Sequence, residues 1–176
     1  PAGITIEDKA SGQKIENALY FVDGGDEGDS YDYDYPAPED EWLISHDLTQ
    51  NDLVSSLQHE LYSELSFEST MAVPTSLESR KNHSADGSLT FSVTLSLDGR
   101  TNVLRVAGHV DNSTEDHRLR IGVRTGKVIE RHQAGTQYGT IERDCLPPEM
   151  AFWKERNYFE EPSATRPLLN HVSTVD

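Results

Sequence analysis

The stretch Leu89-Thr90-Phe91-Ser92-Val93-Thr94-Leu95-Ser96-Leu97-Asp98-Gly99 decides the fold. Apolar side chains alternate with small polar ones without a break. That period of two describes a strand with one face buried and one face wet, the mark of an antiparallel sheet. Asp98-Gly99-Arg100-Thr101 is a hairpin turn signal, and residues 103–110 return as the partner strand. Asp111-Asn112-Ser113-Thr114 makes the next turn, and Leu119, Ile121 and Val123 carry the next strand. Upstream, Leu65, Phe67, Met71 and Val73 alternate as far as Pro74, which predicts a strand over 64–73. Residues 53–62 are ambiguous. Leu53, Leu57, Leu61 and Leu65 sit at helical spacing behind an Asn51/Asp52 cap, yet they run into that alternation. Strands over 3–9 and 19–22 are expected to pair as a hairpin, with a turn at Lys9-Ala10-Ser11-Gly12. Short strands are also expected at 128–132, 137–142 and 170–174, and Pro147-Pro148-Glu149 opens one short helix. Strands recurring at intervals of about ten residues predict a mainly β protein, an antiparallel β-sandwich with little helix. It is read as a single domain over 1–176.

Charge narrows the function. The chain carries 31 acids against 15 lysines and arginines, a net −16. Residues 1–60 hold Lys9 and Lys14 as their only lysines or arginines, and most of the excess acid lies there. A nucleic-acid partner needs a basic stripe, and an anionic membrane surface needs the same. Both are disfavoured, and no apolar run approaches membrane-spanning length. A neutral, hydroxyl-rich ligand or a cation fits better. Cys145 is the single cysteine, so an intrachain disulfide is impossible, which agrees with a reducing, cytoplasmic home. The sequence opens at Pro1 in strand-like residues and stops at Val175-Asp176. Both ends read as cuts in a larger protein.

Residues 23–38 are the most biased segment, with Asp23, Asp26, Glu27, Asp29, Asp32 and Asp34 interleaved with Tyr31, Tyr33 and Tyr35. Three glycines and two prolines forbid a regular helix, so a long loop is expected. Carboxylates accept charge-assisted hydrogen bonds from sugar hydroxyls, and tyrosine rings cover the apolar C–H patches of a pyranose. A solvated acidic loop is the plainer reading. A calcium loop is a third, although Gly25, Gly28 and Tyr31 fall where an EF-hand needs acids.

Three other constellations carry less. His109-Val110-Asp111, with His117 nearby, could ligate zinc from one strand face or could simply end a strand. Nucleophile elbow and P-loop motifs are absent, and Cys145 has no partner histidine placed by a motif. Arg118, Arg120 and Arg124 share the strand face opposite Leu119, Ile121 and Val123. They read as a solvated face, or as a contact with substrate or a neighbouring domain.

The run Asn17-Ala18-Leu19-Tyr20-Phe21-Val22-Asp23-Gly24-Gly25-Asp26-Glu27-Gly28-Asp29-Ser30-Tyr31-Asp32-Tyr33 resembles a stretch of the bacterial α-mannosidases of glycoside hydrolase family 38, which include mannosylglycerate hydrolases. Asp116-His117-Arg118-Leu119-Arg120-Ile121 and Gln137-Tyr138-Gly139-Thr140-Ile141-Glu142-Arg143 resemble later strands of that family, in the same order. The chain departs from the commoner loop at Gly24, where serine is usual, and at Asp34-Tyr35 before Pro36.

The resemblance implies a non-catalytic fragment of a retaining α-mannosidase, from a galactose-mutarotase-like supersandwich. It would complete the substrate pocket and support the catalytic domain. No catalytic residue, metal ligand or cofactor is expected on this chain. The nucleophile and a zinc ion would belong to the parent's N-terminal catalytic domain, followed by a helical domain. Both would be partners, along with a mannose-containing carbohydrate. The sugar contacts implied here are Tyr31, Asp26, Asp29, Asp32 and, from the C-terminal half, Arg143. An independent carbohydrate-binding module and a purely structural interdomain platform are the rival readings.

Overall fold

The structure, a computed structural model, describes residues 3–31, 33–37 and 40–174. The chain forms two compact units, Pro1–Gly126 and Lys127–Asp176. In chain order the first unit carries β1 (Ile6–Glu7), β2 (Lys14–Ile15), β3 (Leu19–Gly25), β4 (Ile44–Asp47), β5 (Leu53–Gln58), β6 (Tyr62–Val73), α1 (Leu77–Lys81), β7 (Gly87–Asp98), β8 (Leu104–Asp111) and β9 (His117–Val123). The second carries β10 (Arg131–Thr136), β11 (Gly139–Asp144) and β12 (Val172–Thr174).

The expected central hairpin forms. Antiparallel β6, β7 and β8 are flanked by β5 to give a four-stranded sheet. A three-stranded sheet of order β4-β3-β9 lies over it. Phe21 from β3 stacks on Phe91 from β7, with ring centroids 4.2 Å apart and planes 6° from parallel. Leu19 and Leu48 from one layer and Phe67, Met71, Leu89 and Val93 from the other share this core. Two antiparallel sheets facing across one apolar layer make a β-sandwich. The inner face of the larger sheet runs on past this cover. At one end of it Leu65 and Val106, which flank Leu95, and Leu97 remain 39%, 43% and 47% exposed.

The edges differ from the sequence expectation. Residues 6–7 close on residues 14–15 instead of on 19–22. Gly12 takes a φ of +73° there, and the Asp8 carboxylate accepts from the Ala10 N–H and the Ser11 hydroxyl. A turn that tight uses up the first strand and leaves β3 free to sit between β4 and β9. The ambiguous 53–62 segment is strand over Leu53–Gln58 and a turn after it, not helix, because β6 offers an edge to pair with. Its leucines are edge residues, with Leu53 44% and Leu57 55% exposed. Neither β4 nor α1 was legible. Five residues are too few for a helical period, and α1 stands on its cap, where Ser76 Oγ accepts from the Ser79 N–H.

In the second unit the strand order is β11-β10-β12, all antiparallel. The strand expected at 128–132 lies at Arg131–Thr136 instead. Gln137-Tyr138 makes the turn, with Gly139 at φ +147°, and this sets a register in which Gln133 faces Glu142. Residues Pro148–Ala151 form a 3-10 turn where the short helix was expected. Among the described residues no helix is long and apolar enough to cross a membrane.

Candidate functional site

The acidic segment begins later than its composition suggests. Asp23, Gly24 and Gly25 are not loop; they complete β3 and are buried. Cross-strand pairing with Arg118 and His117 extends β3 this far, and the burial of Asp23 is what demands a partner. Asp23 faces inward, fully buried, in register with Leu119. Its Oδ2 lies 2.5 Å from an equally buried Arg80 guanidinium, and its Oδ1 lies 2.7 Å from His117 Nδ1. His117 Nε2 lies 2.9 Å from Asn112 Oδ1, and that oxygen also accepts from Thr114 N–H. Both ring nitrogens therefore face oxygen atoms. His117 is thus a structural bridge between the end of β3 and the β8–β9 turn.

Beyond Gly25 the chain folds back on itself. Asp26 N–H donates to Asp116 O at 3.0 Å, and Glu27 N–H donates to Asp34 O at 2.7 Å. One Asp26 carboxylate oxygen accepts from Gly28 N–H at 3.0 Å and from Asp34 N–H at 3.3 Å. The neck is thereby closed between residues 26–27 and 34. Asp29 Oδ1 accepts from Tyr31 N–H at 2.7 Å. Above this neck the Tyr31 ring is 96% exposed. Tyr33 is occupied, because the Arg118 guanidinium stands 4.2 Å over its ring. Asp32 lies outside the described residues.

Arg143 lies in the second unit, on β11, and donates to Pro167 O at 3.0 Å. In that unit Cys145 Sγ lies 3.6 Å from His132 Nδ1, a juxtaposition no motif announced. His109 and Asp111 share the outward face of β8, opposite Ser92 and Thr90. Among the described residues no three His, Cys, Asp or Glu side chains gather as a metal ion would require. Arg118 and Arg120 lie on the outer face of β9, and Arg124 stacks on Tyr20 at 4.2 Å and pairs with Asp47 at 3.0 Å.

The fold is shared with part of known glycosidases. An α-mannosidase from Enterococcus faecalis V583 matches 82% of this chain with a TM-score of 0.66 and 22% identity. A protein of glycosyl hydrolase family 38 from Enterococcus faecalis matches 81% with a TM-score of 0.65 and 23% identity. This chain spans only 18% and 19% of those two chains. At such identity the likeness concerns fold. No protein-family model and no curated protein matches the sequence.

Sequence reading missed Arg80, the one buried arginine or lysine among the described residues. The available signal was Ser76-Leu77-Glu78-Ser79-Arg80-Lys81, a capped turn with its acid first and its bases last.

Proposed function

We propose that this chain is a β-sandwich portion of a retaining α-mannoside hydrolase of glycoside hydrolase family 38, where it forms one wall of the sugar pocket. The observation that carries the reading is Tyr31, presented at 96% exposure above a neck closed by the loop's own hydrogen bonds. A ring so placed offers a face to sugar C–H groups and a hydroxyl to a polar contact. Asp29 beside it, with Asp32, would take sugar hydroxyls, and Arg143 of the second unit is a separate candidate for a sugar contact. Asp26 spends one oxygen on two loop amides, so it shapes the site more than it reacts. The fold shared with the two Enterococcus faecalis proteins supports the reading. So does the uncovered end of the inner sheet face at Leu65, Leu97 and Val106, a surface suited to further protein.

In this reading the nucleophile and its zinc reside in an N-terminal catalytic domain, which with a helical domain is this chain's partner. Zinc would hold the sugar beside a carboxylate nucleophile. On this reading the metal is held outside this chain, and the chain by itself would hydrolyse no mannoside. Neither nucleic acid nor membrane is a partner, and the setting is cytoplasmic. The loop's self-closure also suits a second reading, an independent carbohydrate-binding module.

The test is Tyr31→Phe in the full-length enzyme, assayed on an aryl α-mannoside. The expected result is a loss of kcat/KM of at least about tenfold, the scale of one lost polar contact to the transition state. An unchanged kcat/KM overturns the pocket role and leaves a structural platform. Calorimetry on the present chain addresses the module: a mannoside Kd of about 1 mM or tighter would favour it over pocket completion.

A further inference from the structure

The short helix α1 serves no purpose in the sugar-contact reading, yet among the described residues it holds the largest fully buried side chain. Arg80 is 1% exposed. One guanidinium nitrogen lies 2.5 Å from Asp23 Oδ2, just before the acidic segment leaves β3. Another donates to the carbonyl of Trp42, two residues before β4 begins. A single planar group therefore bonds the outgoing and the returning limb. Its aliphatic part closes the same gap. A Cβ added at Gly25 would lie 2.5 Å from Pro36 Cγ and 3.0 Å from Arg80 Cδ.

The residues after Arg80 hold the returning limb twice more. Lys81 Nζ lies 3.3 Å from Asp40 Oδ2. The His83 ring stacks on Trp42, with centroids 5.0 Å apart and planes 11° from parallel. His83 reaches it from a left-handed backbone conformation, φ +52°, just past the helix C-cap. Four contacts from three residues, reaching both limbs, make an organised seat.

We propose that Arg80 is a positioning residue that fixes the two limbs of the acidic segment at their base, with Lys81 and His83 as its seconds. The chemistry calls for arginine. A guanidinium fork reaches two acceptors on different limbs at once, whereas an ammonium is a point charge on a flexible stem. Closing a segment of this length costs chain entropy that only fixed contacts at both ends offset. The neck bonds from Asp26 then order the tip above a base already fixed. This inference concerns the loop's shape and does not rest on the sugar reading.

Arg80→Lys is the discriminating variant, because it keeps the buried charge beside Asp23 and removes the second reach. Amide hydrogen exchange would be followed at Glu27, Gly28, Tyr31 and Asp34, against Phe67 and Val93 in the β6–β7 ladder. The expected result is exchange at least about tenfold faster at the four loop amides, with the ladder unchanged, as for local opening. Unchanged loop exchange overturns the proposal, and so does a rise shared equally by the ladder. If Arg80→Lys fails to fold, Lys81→Ala with His83→Ala releases the returning limb while leaving Arg80 in place. Faster exchange at Asp34 but not at Phe67 supports the proposal there, and no change at either overturns it. In the full-length enzyme, an Arg80→Lys loop that opens without any loss of mannoside hydrolysis would sink the pocket reading and leave the positioning role standing.

Discussion

Replacing Asp23 by asparagine changes one heavy atom and removes the negative charge that Arg80 and His117 share. Asp23 is fully buried, and Arg80 is 1% exposed, so solvent screens almost nothing. Two charge-assisted contacts, at 2.5 and 2.7 Å, lose their anion together. Each such bond contributes about 1.5–3 kcal/mol. Breaking a buried pair from one side costs about 3–5 kcal/mol, because the partner charge stays desolvated and uncompensated. With a urea slope of about 2 kcal/mol/M, the unfolding midpoint should fall by about 1.5–2.5 M. Trp42 fluorescence reports this unit, in a Trp153→Phe background that silences the other tryptophan. The companion variant is Asp23→Leu with Arg80→Met, which leaves Asn112 as a partner for His117. Removing both charges should recover most of the loss, since buried pairs often exchange for apolar side chains at little cost. A single-variant loss below about 1 kcal/mol, the range of exposed ion pairs, would refute the reasoning. So would a double variant as unstable as the sum of its parts.

Phe91→Ala should cost about 3–5 kcal/mol in the same urea assay, because it removes a ring that is 2% exposed and stacked on Phe21 at the centre of the sandwich. Asp86 gives an acid-side prediction. The Thr75 N–H and then the Ser79 hydroxyl bond its carboxylate and hold its pKa below the ordinary 3.8. A depressed carboxylate contributes stability that is complete above its unfolded value and lost as pH falls through the lower folded value. Asp86→Asn should therefore flatten the stability profile below about pH 4 relative to the parent chain, measured by thermal melts across that range.

What was legible in the sequence was what one face of a sheet dictates. Leu89 to Leu97 could alternate only one way, and β7 follows it with Leu89, Phe91, Val93 and Leu95 buried. The turns at Asp98-Gly99 and Asn112-Ser113 followed from their own residues. Edges were harder, because an edge strand takes its conformation from its neighbour. Leu53–Gln58 carries helical spacing and is strand all the same, since the pairing offered by β6 outweighs a weak local preference. The pairing of β3 was illegible for a related reason. It depends on β9, almost a hundred residues later, and nothing local announces that contact.

The candidate site divides along the same line. The interleaved acids and tyrosines announced a loop, and their composition treated Asp23 as one acid among six. Its partners come from α1 and β9, distant in sequence, and they turn it from a surface carboxylate into a buried anion. Asp26 also changes character, because its geometry spends it on the loop's own amides. Composition counts carboxylates, whereas function depends on which of them still have lone pairs facing outward. Tyr31 survives that sorting, since its backbone is bonded and its ring is bare. An acidic loop of this kind is therefore best searched from the base upward. The residues that fix its limbs, Arg80 foremost, determine which groups the tip has left to offer.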